Sequence, residues 1–331
     1  MLHRHGRGCP HNGDNRSSID GDRKVRIGII SRQKGAYATR RLARAARERG
    51  CAVCVMDPFE IYIHIGCRGR SIYFGSRSAE RLDVILPRFS KVTARYGLEV
   101  LRHFELVGIP SVNPAQSIDD SRNKFRSLAI LHRNGIPVPP TLAAGSLRFL
   151  DRALKRTGDY PFILKPFEGT QGRGIVVTDN PVVLHSILDA MWERSEDYIV
   201  QPFYEEAAGR DLRALVIGDR VLCAMKRIAR EGEFRANIHR GGVGFLTCLT
   251  DDEEEIAVRS AKILGLGIAG VDMIRTRKGI MVIEVNPSPG FEGLEKATGM
   301  DVAGAMVDYA IKLAERRRDI RGTHQDVSAV P

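Results

Sequence analysis

The hydrophobic pattern changes character along the chain. In residues 25–116, short apolar runs alternate with stretches in which apolar residues recur every three or four positions. The runs at 25–30, 52–56 and 83–86 predict buried strands. The periodic stretches at 36–49 and 93–106 predict helices, stopped by Gly50 and Gly108. Strand and helix in alternation predict an α/β domain with a mainly parallel sheet. Residues 117–134 are helical in pattern, closed by Gly135, and Ile136-Pro137-Val138-Pro139-Pro140 is a stiff connector. Strands at 141–144, 162–166, 175–178 and 198–201, with helices at 147–156 and 182–192, then give an α+β unit over 117–201. Beyond 202 the pattern is strand-rich. Strands 212–217 and 221–227 flank the turn pair Gly218-Asp219, and 269–275 and 280–286 form a second hairpin. Residues 229–243 are polar, and 251–264 predict a helix whose acidic first turn suits the helix dipole. Helices at 290–299 and 302–315 finish a third unit, 202–316. This leaves 1–24 as a disordered leader and 317–331 as a tail. No internal repeat is evident.

Charge narrows the partners. The 331 residues carry a formal net charge of +11, and 43% are hydrophobic, enough for a buried core. The leader and the segment 316–331 contribute +2 each, so +7 lies in 25–315. No block of five like charges exists, which argues against a polybasic nucleic-acid tail. No apolar run approaches a membrane span, and residues 1–24 lack the apolar core of a secretory signal. A soluble cytoplasmic protein with reduced thiols is expected.

Three constellations carry candidate chemistry. The first is Asp272, Glu284 and Asn286. A three-residue turn, Arg277-Lys278-Gly279, would pair Thr276 with Ile280 and set Asp272 opposite Glu284, so three oxygen donors share one face. Two carboxylates and an amide among apolar neighbours are costly without a cation, and hard oxygen donors suit Mg²⁺ that phosphates also hold. A solvated strand face is the alternative. The second is Lys165 with the loop Glu168-Gly169-Thr170-Gln171-Gly172-Arg173-Gly174. Its glycines let backbone N–H groups approach phosphate, although an ordinary glycine hairpin has the same composition. The third is the basic stretch 226–240, with five bases and two acids, ending in Arg235-Ala236-Asn237-Ile238-His239-Arg240. It is a candidate anion loop or a solvated loop.

Other apparent motifs fail on context. Gly265–Gly270 matches GxGxxG but follows a helix and enters a strand, the reverse of a dinucleotide site. Cys51 and Cys54 are three apart around a strand and point to opposite faces, so packing is expected. His3, His5, Cys9 and His11 have no partner ligands at zinc spacing. The bases Arg40, Arg41, Arg44, Arg47 and Arg49 are expected to form a solvated helix face.

Taken in order, these constellations resemble the ATP-grasp ligases, and more narrowly the RimK-type α-L-glutamate ligases. The resemblance runs from Arg26 to about Glu315. It rests on Ile29-Ile30-Ser31-Arg32, Leu86-Pro87-Arg88, Lys165 with Glu168-Gly169-Thr170-Gln171-Gly172, Asp211-Leu212-Arg213, the block from Glu231 to Gly242, Ala269-Gly270-Val271-Asp272 and Glu284-Val285-Asn286-Pro287-Ser288-Pro289-Gly290. It implies an ATP-grasp fold, with 25–116 as the pre-ATP-grasp domain and 117–316 as a two-lobed ATP-grasp unit. It also implies ATP and two Mg²⁺ (or Mn²⁺) as cofactors. Lys124 and Lys165 would hold phosphates, and the loop at Glu168, Gly169, Thr170, Gln171 and Gly172 would close over them. Pro202 and Phe203 would form the adenine hinge, and Asp211 would meet the ribose. Arg213, Arg235 and Asn237 would face the reacting groups, and Arg235, Ala236 and Asn237 would also bind ATP. Asp272, Glu284 and Asn286 would hold the metal. The chain departs from the family at Pro202, where an acidic residue is usual.

The activity implied is ATP-dependent transfer of L-glutamate to an acceptor carboxylate, such as the acidic C-terminus of a ribosomal protein, by a homo-oligomer that needs neither membrane nor nucleic acid. Two alternatives stand beside it. The acceptor could be a small molecule, a coenzyme or a carrier protein, or the chain could be a non-catalytic RNA- or ribosome-binding module.

Overall fold

A computed structural model describes residues 24–66, 69–169, 172–236 and 241–326. Strands β1 (Arg26–Ile30), β2 (Ala52–Met56) and β6 (Val84–Pro87) form a parallel sheet in the order β2-β1-β6. Apolar residues lie on both of its faces, as a helix-covered parallel sheet requires. Ile27, Ile29 and Val84 join one core, and Ile30 and Ile85 another. Helix α1 (Tyr37–Glu48) covers the first face. Helix α2 (Lys91–Leu106), capped by a reciprocal Ser90/Thr93 box, lies on the second. Strands β3 (Ile61–Gly66), β4 (Gly69–Phe74) and β5 (Arg77–Ser78) form an antiparallel sheet in a stretch where no element is expected. Its inner residues Ile61 and Ile72 join the α2 core.

The single helical pattern of 117–134 is two helices, α3 (Ala115–Arg122) and α4 (Lys124–Arg133). Asn123 separates them in extended conformation, and its Oδ1 accepts the Arg126 N–H at 2.9 Å. The break puts Lys124 at the first position of a helix. Strands β7 (Leu142–Ala143), β8 (Phe162–Pro166), β9 (Val176–Thr178) and β10 (Tyr198–Pro202) form a sheet in the order β7-β10-β8-β9, and helices α5 (Leu150–Thr157) and α6 (Pro181–Glu193) cover one face. Alternation along β8 sends Phe162 and Leu164 into that core. It leaves Ile163 and Lys165 for the opposite face.

The third sheet is antiparallel: β11 (Arg210–Ile217), β12 (Arg220–Ile228), β13 (Val243–Leu246), β14 (Ile268–Thr276) and β15 (Gly279–Asn286), in the order β13-β12-β11-β14-β15. Strand β13 begins at the end of the polar stretch 229–243 and runs beyond it. Helix α7 (Asp251–Ile263), with a Thr250/Glu253 capping box, packs on one face over Leu212, Ala214, Val271 and Val282. Gly265 follows α7 with φ +68°, the helix stop expected of it rather than a phosphate turn.

Both hairpins of this sheet turn on two residues, and both contain a bulge. In β14–β15, Thr276 pairs with Gly279 and Met273 with Val282, but Asp272 pairs with Glu284, so Ile283 is the extra residue. The expected three-residue turn is therefore corrected, although its consequence, Asp272 opposite Glu284, holds. Without the bulge Glu284 would turn toward the α7 core. In β11–β12 the extra residue is Leu222, and it sets Arg227 opposite Asp211.

Helices α8 (Glu292–Thr298) and α9 (Val302–Asp326) follow. Helix α9 runs through most of the expected tail. Arg318 on it donates to Asp83 at 3.1 Å. One core joins α1, β1, β6, β11, β12, α8 and α9, through residues such as Ile29, Leu42, Leu215 and Met306. The expected solvated face of α1 holds at Arg40, Arg44 and Arg47, which are exposed, and is corrected at the other two: Arg41 holds Glu295 at 3.1 Å, and Arg49 holds Asp308 at 2.5 Å. Among the described residues no helix is long and apolar enough to cross a membrane.

Candidate active site

A cleft of about 320 Å³ lies between the faces that β8–β10 and β11–β15 leave uncovered. Its wall on the β11–β15 side carries Asp211, Arg213, Arg227, Asp272 and Glu284. Arg213 donates to both Asp272 oxygens at 2.7 Å, and Arg227 reaches Asp272 at 3.0 Å. Arg227 also binds both oxygens of Asp211, at 2.5 and 2.7 Å. Such bidentate pairs are the strongest form of this interaction. Burial pushes the Asp272 carboxyl up, but the two guanidiniums outweigh it and hold its pKa below the usual carboxylate range. Arginines therefore compensate the buried Asp272 carboxylate. Asn286 Nδ2 lies 3.5 Å from Asp272 Oδ2.

Glu284 meets Lys124, whose Nζ donates to Oε1 at 3.1 Å and to the Gly169 carbonyl at 3.2 Å. The Lys124 backbone N–H donates to the Phe167 carbonyl at 2.8 Å, and Phe125 stacks on Phe167 at 5.5 Å. The start of α4 is therefore pinned to the start of the glycine loop.

The wall on the β8–β10 side has a different character. Lys165 Nζ donates to Gln201 Oε1 at 2.8 Å, and Gln201 passes a hydrogen bond to Thr141. Burial pulls the Lys165 ammonium down to about 8, with Lys124 adding to the effect and Glu284 opposing it. A desolvated ammonium held by a neutral amide keeps capacity for an anion.

In the loop, Glu168 lies 3.5 Å from Arg122. Gly172 and Gly174 adopt φ +67° and +74°, a turn that favours glycine. Thr170 and Gln171 lie outside the described residues, as do Asn237, His239 and Arg240 of the basic stretch and His3, His5, Cys9 and His11 of the leader. Arg235 is held by Glu233 at 2.8 and 2.7 Å and reaches the Gly172 carbonyl at 3.2 Å, so the basic stretch touches the glycine loop. Ala236 is buried in the cleft wall.

At the expected hinge, Pro202 ends β10, and the Phe203 N–H is spent on the Pro161 carbonyl at 2.8 Å. Hydrogen-bonding capacity there is low. Phe203 packs edge-on to Phe234 at 5.8 Å, and Ile163, Ile175, Ile274 and Ile283 continue an apolar lining that suits a planar base.

Cys51 and Cys54 are free thiols, pushed up by burial, which fits packing rather than chelation. Sequence reasoning missed Arg227 and Gln201. Arg227 was counted within a charge run, and only its place opposite Asp211 shows that it is buried. Among the described residues no three His, Cys, Asp or Glu side chains cluster as a metal site, so the candidate donors remain two carboxylates and one amide. In the inner cluster four cations (Lys124, Lys165, Arg213, Arg227) face three carboxylates (Asp211, Asp272, Glu284). Such a balance suits a polyanion that brings its own cations.

Known proteins share this fold. The RimK pre-ATP-grasp domain model matches residues 25–118, and the RimK-like ATP-grasp domain model matches 121–310. The probable alpha-L-glutamate ligase 1 of Shewanella amazonensis is 41% identical over 293 residues, covering 88% of this chain and 97% of that protein. The probable alpha-L-glutamate ligase of Maridesulfovibrio salexigens is 42% identical over 291 residues, with 88% and 97% covered. Among solved structures, the ATP-grasp ligase PsnB complexed with its minimal precursor superposes with a TM-score of 0.70 at 22% identity, over 88% of this chain and 99% of that one. A RimK domain ATP-grasp protein from Sphaerobacter thermophilus gives 0.65 at 21%, over 86% and 99%. The fold is therefore ATP-grasp with a pre-ATP-grasp domain, and the chain belongs to the RimK-like family of ATP-dependent ligases.

Proposed function

We propose that this enzyme joins the amine of L-glutamate to an acceptor carboxylate at the expense of ATP, with the acidic C-terminus of a protein as acceptor. The observation that carries this reading is the convergence of Lys124, Lys165, Glu284 and the Asp272–Arg213–Arg227 cluster on one cleft with an apolar end. The names of the relatives support glutamate as the amino acid.

A carboxylate is a poor electrophile because oxide would have to leave. Transfer of the ATP γ-phosphoryl group to the acceptor carboxylate gives an acyl phosphate. The glutamate amine then attacks the acyl carbon, phosphate departs, and the amine gives up its proton as the amide forms. Lys124 and Lys165 would lie along the phosphates, and Arg213 and Arg235 would stabilise charge that develops between the reactants. The loop from Glu168 to Gly174 would close over them and keep water from the acyl phosphate. Asp211 would share its Arg227-held oxygens with the ribose, and Pro202, Phe203 and Ala236 would bound the base. Asp272, Glu284 and Asn286 would hold two Mg²⁺, replaceable by Mn²⁺, which would screen the phosphate charge. The units expected from the sequence, 25–116, 117–201 and 202–316, would be the pre-ATP-grasp domain and the two ATP-grasp lobes, with α9 carrying the last one on to Asp326.

The test is incubation with ATP, Mg²⁺, glutamate and a panel of acidic peptides and small carboxylates, read by intact mass. A product one glutamyl residue heavier on a peptide supports the reading. Glutamylation of small carboxylates alone would move the acceptor to that class. In the same assay Glu284→Gln is expected to lower turnover by about a hundredfold or more while the fold persists, and near wild-type turnover would remove Glu284 from the metal set.

A further inference from the structure

Two cations flank Asn123, the residue that breaks the helical pattern of 117–134. Lys124, the first residue of α4, lines the main cleft. Arg122, the last residue of α3, lines a different space, a side cavity of about 80 Å³ that is a quarter the size of the main cleft. Glu284, Asn286, Ser288 and Gly169 line both, so they form the partition between the two. The proposed reaction uses Lys124 and leaves Arg122 without a role.

The lining of the side cavity suits a small molecule with an apolar stem and an anionic end. Phe89, from the N-terminal domain, and Ile118 give it an apolar side. Among the described residues that line it, Arg122 is the one cation. Of its two carboxylates, Glu284 is held by Lys124 at 3.1 Å. The other, Glu168, starts the glycine loop and lies 3.5 Å from Arg122. Ion pairs in the main cleft are closer, at 2.5–3.1 Å. The Arg122 side chain is 12% exposed and that of Glu168 is 51% exposed. The arginine is therefore set in the wall, and its partner is the half that solvent can release. A carboxylate already sits loosely on Arg122, as a stand-in for one brought from outside.

We propose that Arg122 receives a carboxylate of the free dicarboxylic amino acid in this side cavity, and that Glu168 holds the place until the amino acid displaces it. This rests on the ligase reading, with glutamate as the amino acid. The main cleft takes the nucleotide, and the smaller space takes the smaller reactant. The methylene stem lies against Phe89 and Ile118. The amine faces the partition at Glu284 and Asn286, beyond which the acyl phosphate forms. A free carboxylate can dock on the guanidinium fork through both oxygens, which is a stronger contact than the loose pair it replaces.

The test uses full-length variants of both partners, and the two are expected to move in opposite directions. Glutamate binding is measured by calorimetry in the presence of ADP and Mg²⁺. Arg122→Met should weaken it about tenfold or more, and Arg122→Lys should weaken it less. Glu168→Gln should tighten it about two- to fivefold, because a competitor for Arg122 has been removed. Once Arg122 is Met, adding Glu168→Gln should change nothing further. A pair that merely braces the loop would shift both single variants the same way, and that result overturns the proposal. So does glutamate binding that is equal in wild type and Arg122→Met. In turnover, Arg122→Met should raise the Michaelis constant for glutamate and leave that for ATP unchanged, and a shift in the ATP or acceptor constant in its place also overturns it. The ligase reading fails separately. Glutamate binding by wild type that is lost in Arg122→Met supports the anchor even if no acceptor is ever glutamylated, and equal glutamylation by both at equal glutamate constants overturns the anchor while the ligase reading stands.

Discussion

The two walls of the cleft solve the same electrostatic problem in opposite ways. On the β11–β15 side, Asp211, Arg227, Asp272 and Arg213 form a closed chain of ion pairs at 2.5–3.0 Å. On the β8–β10 side, Lys165 has a neutral amide as its partner and is desolvated. The first wall is internally compensated and can be rigid before any ligand arrives. The second carries uncompensated positive character and becomes complementary only to an anion. The difference teaches where binding energy is stored: one side keeps its shape, and the other attracts.

The sharpest way to break the first wall is Arg227→Met. Arg227 is 2% exposed and serves two buried carboxylates. Removing it leaves Asp211 without a partner, which is expected to cost about 3–5 kcal/mol in urea unfolding. Adding Asp211→Asn should recover a large part of that loss, because Asp272 keeps Arg213. A loss below about 1 kcal/mol would show that solvent already reaches this network.

The second wall predicts the reverse. Lys165→Met should not destabilise the free protein, yet should weaken ATP binding by about tenfold or more. The pH dependence has a definite sign. The Lys165 pKa is about 8 in the folded chain and 10.5 ordinarily. Between these values the unfolded chain binds more protons, so this group makes stability rise with pH from about 8 to 10.5, by up to ~3 kcal/mol. Lys165→Met should flatten that rise. ATP affinity should fall over the same interval as Lys165 loses its charge. A parallel rise in the Met variant would assign the effect to another group.

The contrast also shows what could be read from the chain. The strand at 162–166 was legible, and with it Lys165 beside the glycine loop, but the open face on which the lysine lies was not. The pairing of Asp272 with Glu284 was legible too, but by two offsetting errors: a turn one residue too long and an unseen bulge at Ile283. A bulge depends on what packs beneath both strands, here Val282 and Val285 against α7, and carries no local signature. The break at Asn123 did have one, an N-cap residue inside a helical pattern. Charge pairing over long separations was not legible. Arg227 and Arg41 look like solvated bases until the fold brings Asp211 and Glu295 to them.

The smallest effect is expected at a third kind of ion pair, remote from the cleft. Arg41 joins α1 to α8 and to the start of α9 through Glu295 and Asp301, at 2.9–3.1 Å. Its side chain is 25% exposed, so solvent screens part of the attraction. Arg41→Ala leaves Glu295 with the Tyr37 hydroxyl at 2.5 Å and the Ala303 N–H at 3.1 Å, so the carboxylate is not stranded. A loss of about 1 kcal/mol is expected, with turnover unchanged. Burial pushes the Glu295 carboxyl up, but Arg41 and Tyr37 outweigh it and hold the pKa low. A carboxylate held low contributes stability above its unfolded pKa and loses it as pH falls through the folded one. The difference between Arg41→Ala and wild type should therefore shrink as acid protonates Glu295. If turnover fell with stability, the joint between α1 and α8 would be setting the position of the loop after Asn286, and the cleft would no longer be independent of its supports.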